Sequence, residues 1–155
     1  GGQMKRVSWK YLAGLIDGEG CVDVQVTKVG DKFYVRPRLR IAMTEIASDL
    51  LETFKLNFGG HLCKRELSAE NSNWNNAISW ELAGYKQSCP VLRNVVNHLI
   101  LKKEQARFCL WMETNLKGKH VGQDVVEKCR GVLKLMKRDP HRLSEQAQVE
   151  ILGML

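Results

Sequence analysis

At 155 residues, with 44% hydrophobic and 26% charged residues, the chain can bury a core without disulfides and has an ordinary globular composition. Its 24 Lys and Arg outnumber 17 Asp and Glu, giving net charge +7, a balance that favours polyanions, nucleic acid foremost. No apolar run reaches membrane-spanning length and no signal-peptide pattern is present. The five dispersed cysteines form no C-x-x-C or Cys/His cluster, which argues against zinc and for reduced intracellular thiols.

Ser8 is placed to cap a helix from about Trp9 to Asp17, with Gly18-Glu19-Gly20 as its stop. Strict alternation follows: Val22, Val24 and Val26 on one face, Asp23, Gln25 and Thr27 on the other. That is a half-buried strand. Val29-Gly30-Asp31-Lys32 reads as a turn into a second strand, roughly Phe33 to Met43. Its apolar face carries Val35, Leu39, Ile41 and Met43, and its polar face Tyr34, Arg36, Arg38 and Arg40. Pro37 points to an edge position or a bulge.

A helix is expected from about Ile46 to Phe58, stopped by Gly59-Gly60. His61 to Leu67 reads as a third strand, Ser68 to Asn76 as a polar loop, and Ala77 to Ala83 as a fourth strand with Ile78, Trp80 and Leu82 inward. After Pro90 the pattern is helical to the end, with breaks near Ile100, at Leu116 to Gly122, and at Asp139-Pro140. The expected class is α+β: an αββαββα core with a four-stranded antiparallel sheet and additional C-terminal helices, as one domain over residues 1–155.

Leu12-Ala13-Gly14-Leu15-Ile16-Asp17-Gly18-Glu19-Gly20 resembles the nine-residue signature of the LAGLIDADG family. Gly18 replaces an Ala and Glu19 an Asp. The resemblance extends through most of the chain in element order and is weakest after about Leu116. The residues carry a physical reading of their own. Small Ala13 and Gly14 permit close backbone approach, while Leu12, Leu15 and Ile16 supply packing area, so this helix is expected to pack against another. Asp17 and Glu19 fall at the helix C-terminus, where the macrodipole already places negative charge. If the helix pairs with its copy, two Glu19 carboxylates converge, and Mg²⁺ or another divalent cation is the natural compensation.

The resemblance implies a homing endonuclease that hydrolyses both strands of a long pseudo-palindromic DNA duplex with divalent metal, promoting intron mobility. It assigns the metal to the Glu19 carboxylate and the Gly18 carbonyl, and a structural capping role to Asp17. One motif copy implies a homodimer, with Leu12, Ala13, Gly14, Leu15 and Ile16 in the interface. Leu82-Ala83-Gly84-Tyr85-Lys86 starts like a second copy, then lacks the acid. Lys102, in Leu101-Lys102-Lys103-Glu104-Gln105-Ala106, resembles the family's active-site lysine; Lys103 competes, but the Gln-Ala that follows favours Lys102. Glu45 stands where some relatives carry a water-ordering glutamine, and its acid leaves three roles open: ordering solvent, approaching the metal, or beginning a helix.

The candidate DNA-reading face comprises Asp23, Gln25, Thr27, Tyr34, Arg36, Arg38 and Arg40, continued by His61, Cys63, Arg65, Ser79 and Glu81, with Lys28, Lys32 and the Asn71–Asn76 stretch as loop contacts. Two-stranded ribbons fit the major groove, where Arg reads guanine and Gln adenine. Lys117, Lys119, Arg138 and Arg142 are candidate phosphate contacts. Two alternatives stand beside the nuclease: a maturase that binds intron RNA and assists splicing, and a non-catalytic DNA-binding module. The expected setting is an organelle (chloroplast or mitochondrion) or prokaryotic cytoplasm, with no membrane partner.

Overall fold

The computed structural model describes residues 6–65 and 76–155. The elements run α1 (Trp9–Glu19), β1 (Gly20–Val29), β2 (Lys32–Thr44), a short 3₁₀ turn (Glu45–Ala47), α2 (Ser48–Phe58), β3 (His61–Arg65), β4 (Ala77–Ala83), α3 (Gly84–Val95), a second 3₁₀ turn (Val96–His98), α4 (Lys103–Leu116), α5 (Gln123–Arg138) and α6 (Glu145–Met154). This is the expected αββαββα order with helices appended. Glu66, Leu67 and the predicted loop up to Trp74 and Asn75 lie outside the described residues.

The strands form one antiparallel sheet in the order β1-β2-β4-β3. The β1–β2 register is continuous, from Val29↔Lys32 at the Gly30-Asp31 turn to Gly20↔Ile41. Pro37 therefore sits in no bulge. It lies in the half of β2 that β4 leaves uncovered, because the β2–β4 ladder begins at Arg38↔Ala83. On that open side Phe33 exchanges both backbone bonds with Val121, at 3.2 and 2.7 Å, and the Tyr85 hydroxyl donates to the Val35 carbonyl at 2.7 Å. Alternate residues point their backbone groups the same way, so the N–H that Pro37 lacks would have faced this side, where β4 offers no ladder partner.

One sheet face is apolar and packs on the helices. Val22, Val24, Val35, Leu39, Ile41, Ile78, Trp80 and Leu82 are buried there with Leu12, Ile16, Leu51, Phe54 and Phe108. Trp80 anchors the centre: its ring meets Phe54 edge-on at 5.4 Å, and its indole N–H donates to the Gly59 carbonyl at 2.8 Å. Gly60 has φ +83°, and a Cβ there would stand 2.4 Å from the Glu81 carbonyl oxygen. The sharp return from α2 into β3 thus requires glycine for both conformation and space.

Two boundaries differ from expectation. α1 continues through Gly18 and Glu19, and the chain turns extended only at Gly20. A Cβ at Gly20 would lie 2.6 Å from the Ile16 carbonyl oxygen, so the close helix-to-strand junction accounts for that residue. α3 begins at Gly84, six residues before Pro90, and contains the proline. Pro90 and Lys86 are both exposed, which leaves the carbonyl freed by the missing N–H open to water.

Candidate nuclease and nucleic-acid-binding site

Ser8 caps α1 by accepting the Tyr11 N–H at 3.1 Å. The helix has two unlike long faces. Leu12, Ala13 and Ile16 are each 0% exposed within the protomer, sealed against the chain's own core. The expectation that all five apolar motif residues line a partner helix is therefore corrected for these three, because one chain already uses them. The opposite stripe is Tyr11, Gly14, Leu15 and Gly18, at i, i+3, i+4 and i+7. Tyr11, Gly14 and Gly18 are exposed and Leu15 half-buried, and nothing lies within 4 Å of a Cβ built on Gly14 or Gly18.

The two motif acids have opposite fates. Asp17 Oδ2 accepts the Ile100 N–H at 2.8 Å, and Oδ1 accepts the N–H groups of Leu101 and Lys102 at 3.0 Å each. These amides precede α4, whose dipole is positive there. Asp17 is thus spent on holding the 100–102 turn, which removes the electrostatic objection to an acid at the end of α1. Glu19 is exposed and makes no hydrogen bond or ion pair among the described residues. It borders a depression shared with Ala42, Met43 and Thr44 at the end of β2 and Ala77 of β4. Glu45, next in the chain, is likewise exposed; its backbone N–H is tied to the Asn76 carbonyl at 2.9 Å.

Lys102 is half-buried, and its Nζ donates to the Asp17 backbone carbonyl at 2.8 Å. The ammonium is therefore held at the C-terminus of α1, and among the described residues that bond uses one of its three N–H donors. Lys103 opens α4 and has no such tether among the described residues.

The polar sheet face assembles as the alternation predicts, but its charges are partly matched internally. Arg38 binds Asp23 in bidentate fashion, Nε to Oδ1 at 2.9 Å and Nη2 to Oδ2 at 2.6 Å. That pairing strengthens the hold of the Arg38 guanidinium on its proton. The register also brings Arg40 opposite Glu81, with 4.0 Å between charged atoms, and Glu81 also contacts His61 at 3.1 Å. Arg36 is exposed and has no ion pair among the described residues, and Thr27, Lys28, Lys32 and Cys63 are exposed too. Lys28 rests its ammonium 5.7 Å from the Phe33 ring centroid. Tyr34, Gln25 and Ser79 are half-buried, and the shielded Gln25 Oε1 has no partner among the described residues. Arg65 sits in β3 opposite Ala77.

Three basic residues join this surface that sequence patterning does not single out. Arg130, Lys134 and Lys137 of α5 line a cleft along the β1 edge with Asp23 and Arg38, and Lys137 Nζ reaches Cys21 Sγ at 3.4 Å. The signal that could find them is the amphipathic pattern of α5, whose apolar residues Val125, Val126, Cys129, Val132, Leu133 and Met136 are buried. Lys117, Lys119, Arg138 and Arg142 are exposed but do not line this cleft.

A family profile described as LAGLIDADG endonuclease matches residues 12–115. The chain belongs to this family. Among solved structures it is similar to the homing endonuclease I-CvuI bound to the I-CreI target in the presence of Mg, at 20% identity and TM-score 0.64, covering 95% of each chain. It is similar also to I-CvuI bound to its own target in the presence of Ca, at 19% identity and TM-score 0.60, again covering 95% of each chain. The LAGLIDADG meganuclease I-AabMI, bound to uncleaved DNA, matches at 19% identity and TM-score 0.56; 96% of this chain covers 50% of that one. At such identities these likenesses establish the fold. Among curated proteins nothing matches.

Proposed function

We propose that two copies of this chain pair through the outward stripe of α1 and act as a site-specific endonuclease on a long, nearly palindromic DNA duplex, serving intron mobility. The observation that carries the reading is the division of labour between the motif acids: Asp17 accepts three backbone N–H groups, while Glu19, at the end of the same helix, is exposed and has no partner among the described residues. An acid left unpaired at the negative end of a helix dipole is suited to a cation.

The residues fit a hard divalent ion such as Mg²⁺, which takes oxygen ligands; the Glu19 carboxylate and Gly18 carbonyl would hold it. When bound, the ion supplies charge neutralisation at the scissile phosphate. Lys102 sits ready to add positive charge at that phosphate, its position fixed by the bond to the Asp17 carbonyl. Glu45, beside the same end of β2, orders solvent near the cleavage site.

Pairing needs two backbones to approach closely, and Gly14 and Gly18, four residues apart on one exposed stripe, allow it. The twofold axis would then set two Glu19 carboxylates side by side, one for each strand. The polar sheet face enters the major groove. Arg36 is free to read a base, Arg40 and Arg38 must exchange or share their carboxylate partners to do so, and Arg130, Lys134 and Lys137 take phosphates at the edge. Solved relatives of the same fold hold DNA targets, which supports this docking.

The test is Glu19→Gln. Cleavage should be lost while duplex affinity and fold persist; a variant that still cuts, or that loses duplex binding, overturns the assignment.

A further inference from the structure

His61 and Cys63 stand two residues apart on β3, so their side chains share one sheet face. Pairing with β4 sets Glu81 opposite His61 and Ser79 opposite Cys63. One imidazole nitrogen, one thiol sulfur and one carboxylate oxygen consequently lie within 4.8 Å of one another. No metal-binding spacing announces this trio in the sequence, because β3 and β4 come together across a connection whose length does not set their register.

We propose that His61, Cys63 and Glu81 form a second metal site, for a borderline-soft divalent ion of the Zn²⁺ class, distinct from the hard-oxygen site at Glu19. Around a tetrahedral Zn²⁺ with bonds of about 2.0–2.3 Å, ligand atoms stand about 3.3–3.8 Å apart. His61 Nε2 and Glu81 Oε2 are already at 3.1 Å, so they open slightly and Cys63 closes by about 1 Å, within reach of a χ1 adjustment. Cys63 is exposed and the His61 side chain is 46% exposed, which leaves an entry path, room to adjust and a fourth position for water. Glu81, 13% exposed, forms the floor.

Donor chemistry selects the ion. A thiolate and an imidazole favour Zn²⁺ over Mg²⁺, whereas Glu19 with a backbone carbonyl favours the reverse. Ligation exchanges the Cys63 thiol proton for the ion and releases that proton to solvent. It also draws Glu81 away from Arg40, now loosely placed at 4.0 Å, and so frees a guanidinium on the sheet face. Ion binding by this trio does not depend on DNA cleavage.

The experiment is a Co²⁺ titration of the full chain, stripped of metal and held in excess Mg²⁺ so that the hard-oxygen site is filled. A thiolate-to-cobalt charge-transfer band should saturate at about one equivalent per chain, and one equivalent of Zn²⁺ should displace it. Cys63→Ser should abolish the band, and His61→Ala should weaken binding about tenfold or more. Glu19→Gln should leave the titration unchanged. Both substituted side chains are solvent-facing, and a thermal melt of each variant checks that it folds. Absence of the band, its survival in Cys63→Ser, or its loss in Glu19→Gln would each overturn the proposal.

Discussion

Replacing Asp17 with alanine removes one side chain that accepts three backbone N–H groups across more than eighty residues of sequence. Bonds to a charged acceptor contribute about 1.5–3 kcal/mol each when they are shielded. The Ile100 and Leu101 amides are exposed and recover water, whereas the Lys102 amide is half-buried. The loss is then close to that of one shielded charged bond plus part of a helix cap, about 2–4 kcal/mol. Removing an acid from the end of α1 returns about 0.3–1 kcal/mol, so the net expectation is about 2–3 kcal/mol. For a domain of this size that lowers Tm by roughly 4–12 °C. Asp17→Asn keeps one acceptor oxygen for Leu101 and Lys102 and sets an N–H against Ile100, so it should fall between alanine and wild type. Urea and thermal denaturation measure both variants. An alanine variant as stable as wild type, or an asparagine variant no better than alanine, would refute a clamping role for Asp17.

Gly14→Leu places a side chain in space that is empty within the protomer, so the fold should persist while sedimentation shows dissociation to monomers; an intact dimer would reject the α1 stripe as the interface. Gly60→Ala combines a positive φ with overlap on the Glu81 carbonyl, and should cost about 3 kcal/mol or more in a denaturation series. Among the cysteines, Cys21 and Cys63 should react with a thiol reagent in the native state, while Cys89, Cys109 and Cys129 react only on unfolding. Burial pushes the Cys89 thiol up to about 11, with Glu113 adding to the shift, and Cys129 up to about 12. The native state therefore holds these protons more tightly than the unfolded chain, whose thiols ionise near pH 8.5–9. Stability from this source is complete below that range and falls as pH rises through about 9 to 11. Stability that rises over that interval would contradict it.

Much of the sheet is legible in the amino-acid sequence. The valine alternation of β1, the arginine alternation of β2 and the Ile78-Trp80-Leu82 pattern of β4 each give a face directly, because side chains alternate with period two. The Asp23–Arg38 pair is also within reach: a turn closing Val29 on Lys32 counts back to Asp23 opposite Arg38. Other features are not legible there. Leucine and isoleucine on a helix look alike whether they face their own core or a partner, so the burial of Leu12, Ala13 and Ile16 follows only from the tertiary arrangement. Pro90 hides the start of α3 because the proline rule does not know which carbonyl is solvated. The trio of His61, Cys63 and Glu81 depends on the β3–β4 register.

The most direct test is cleavage itself. Purified protein and Mg²⁺, incubated with a randomised library of pseudo-palindromic duplexes, should yield double-strand cuts enriched at one sequence. Those cuts should vanish with EDTA and with Glu19→Gln. Duplexes bound but never cut, or cuts that persist in Glu19→Gln, would refute a nuclease built on the Glu19 carboxylate.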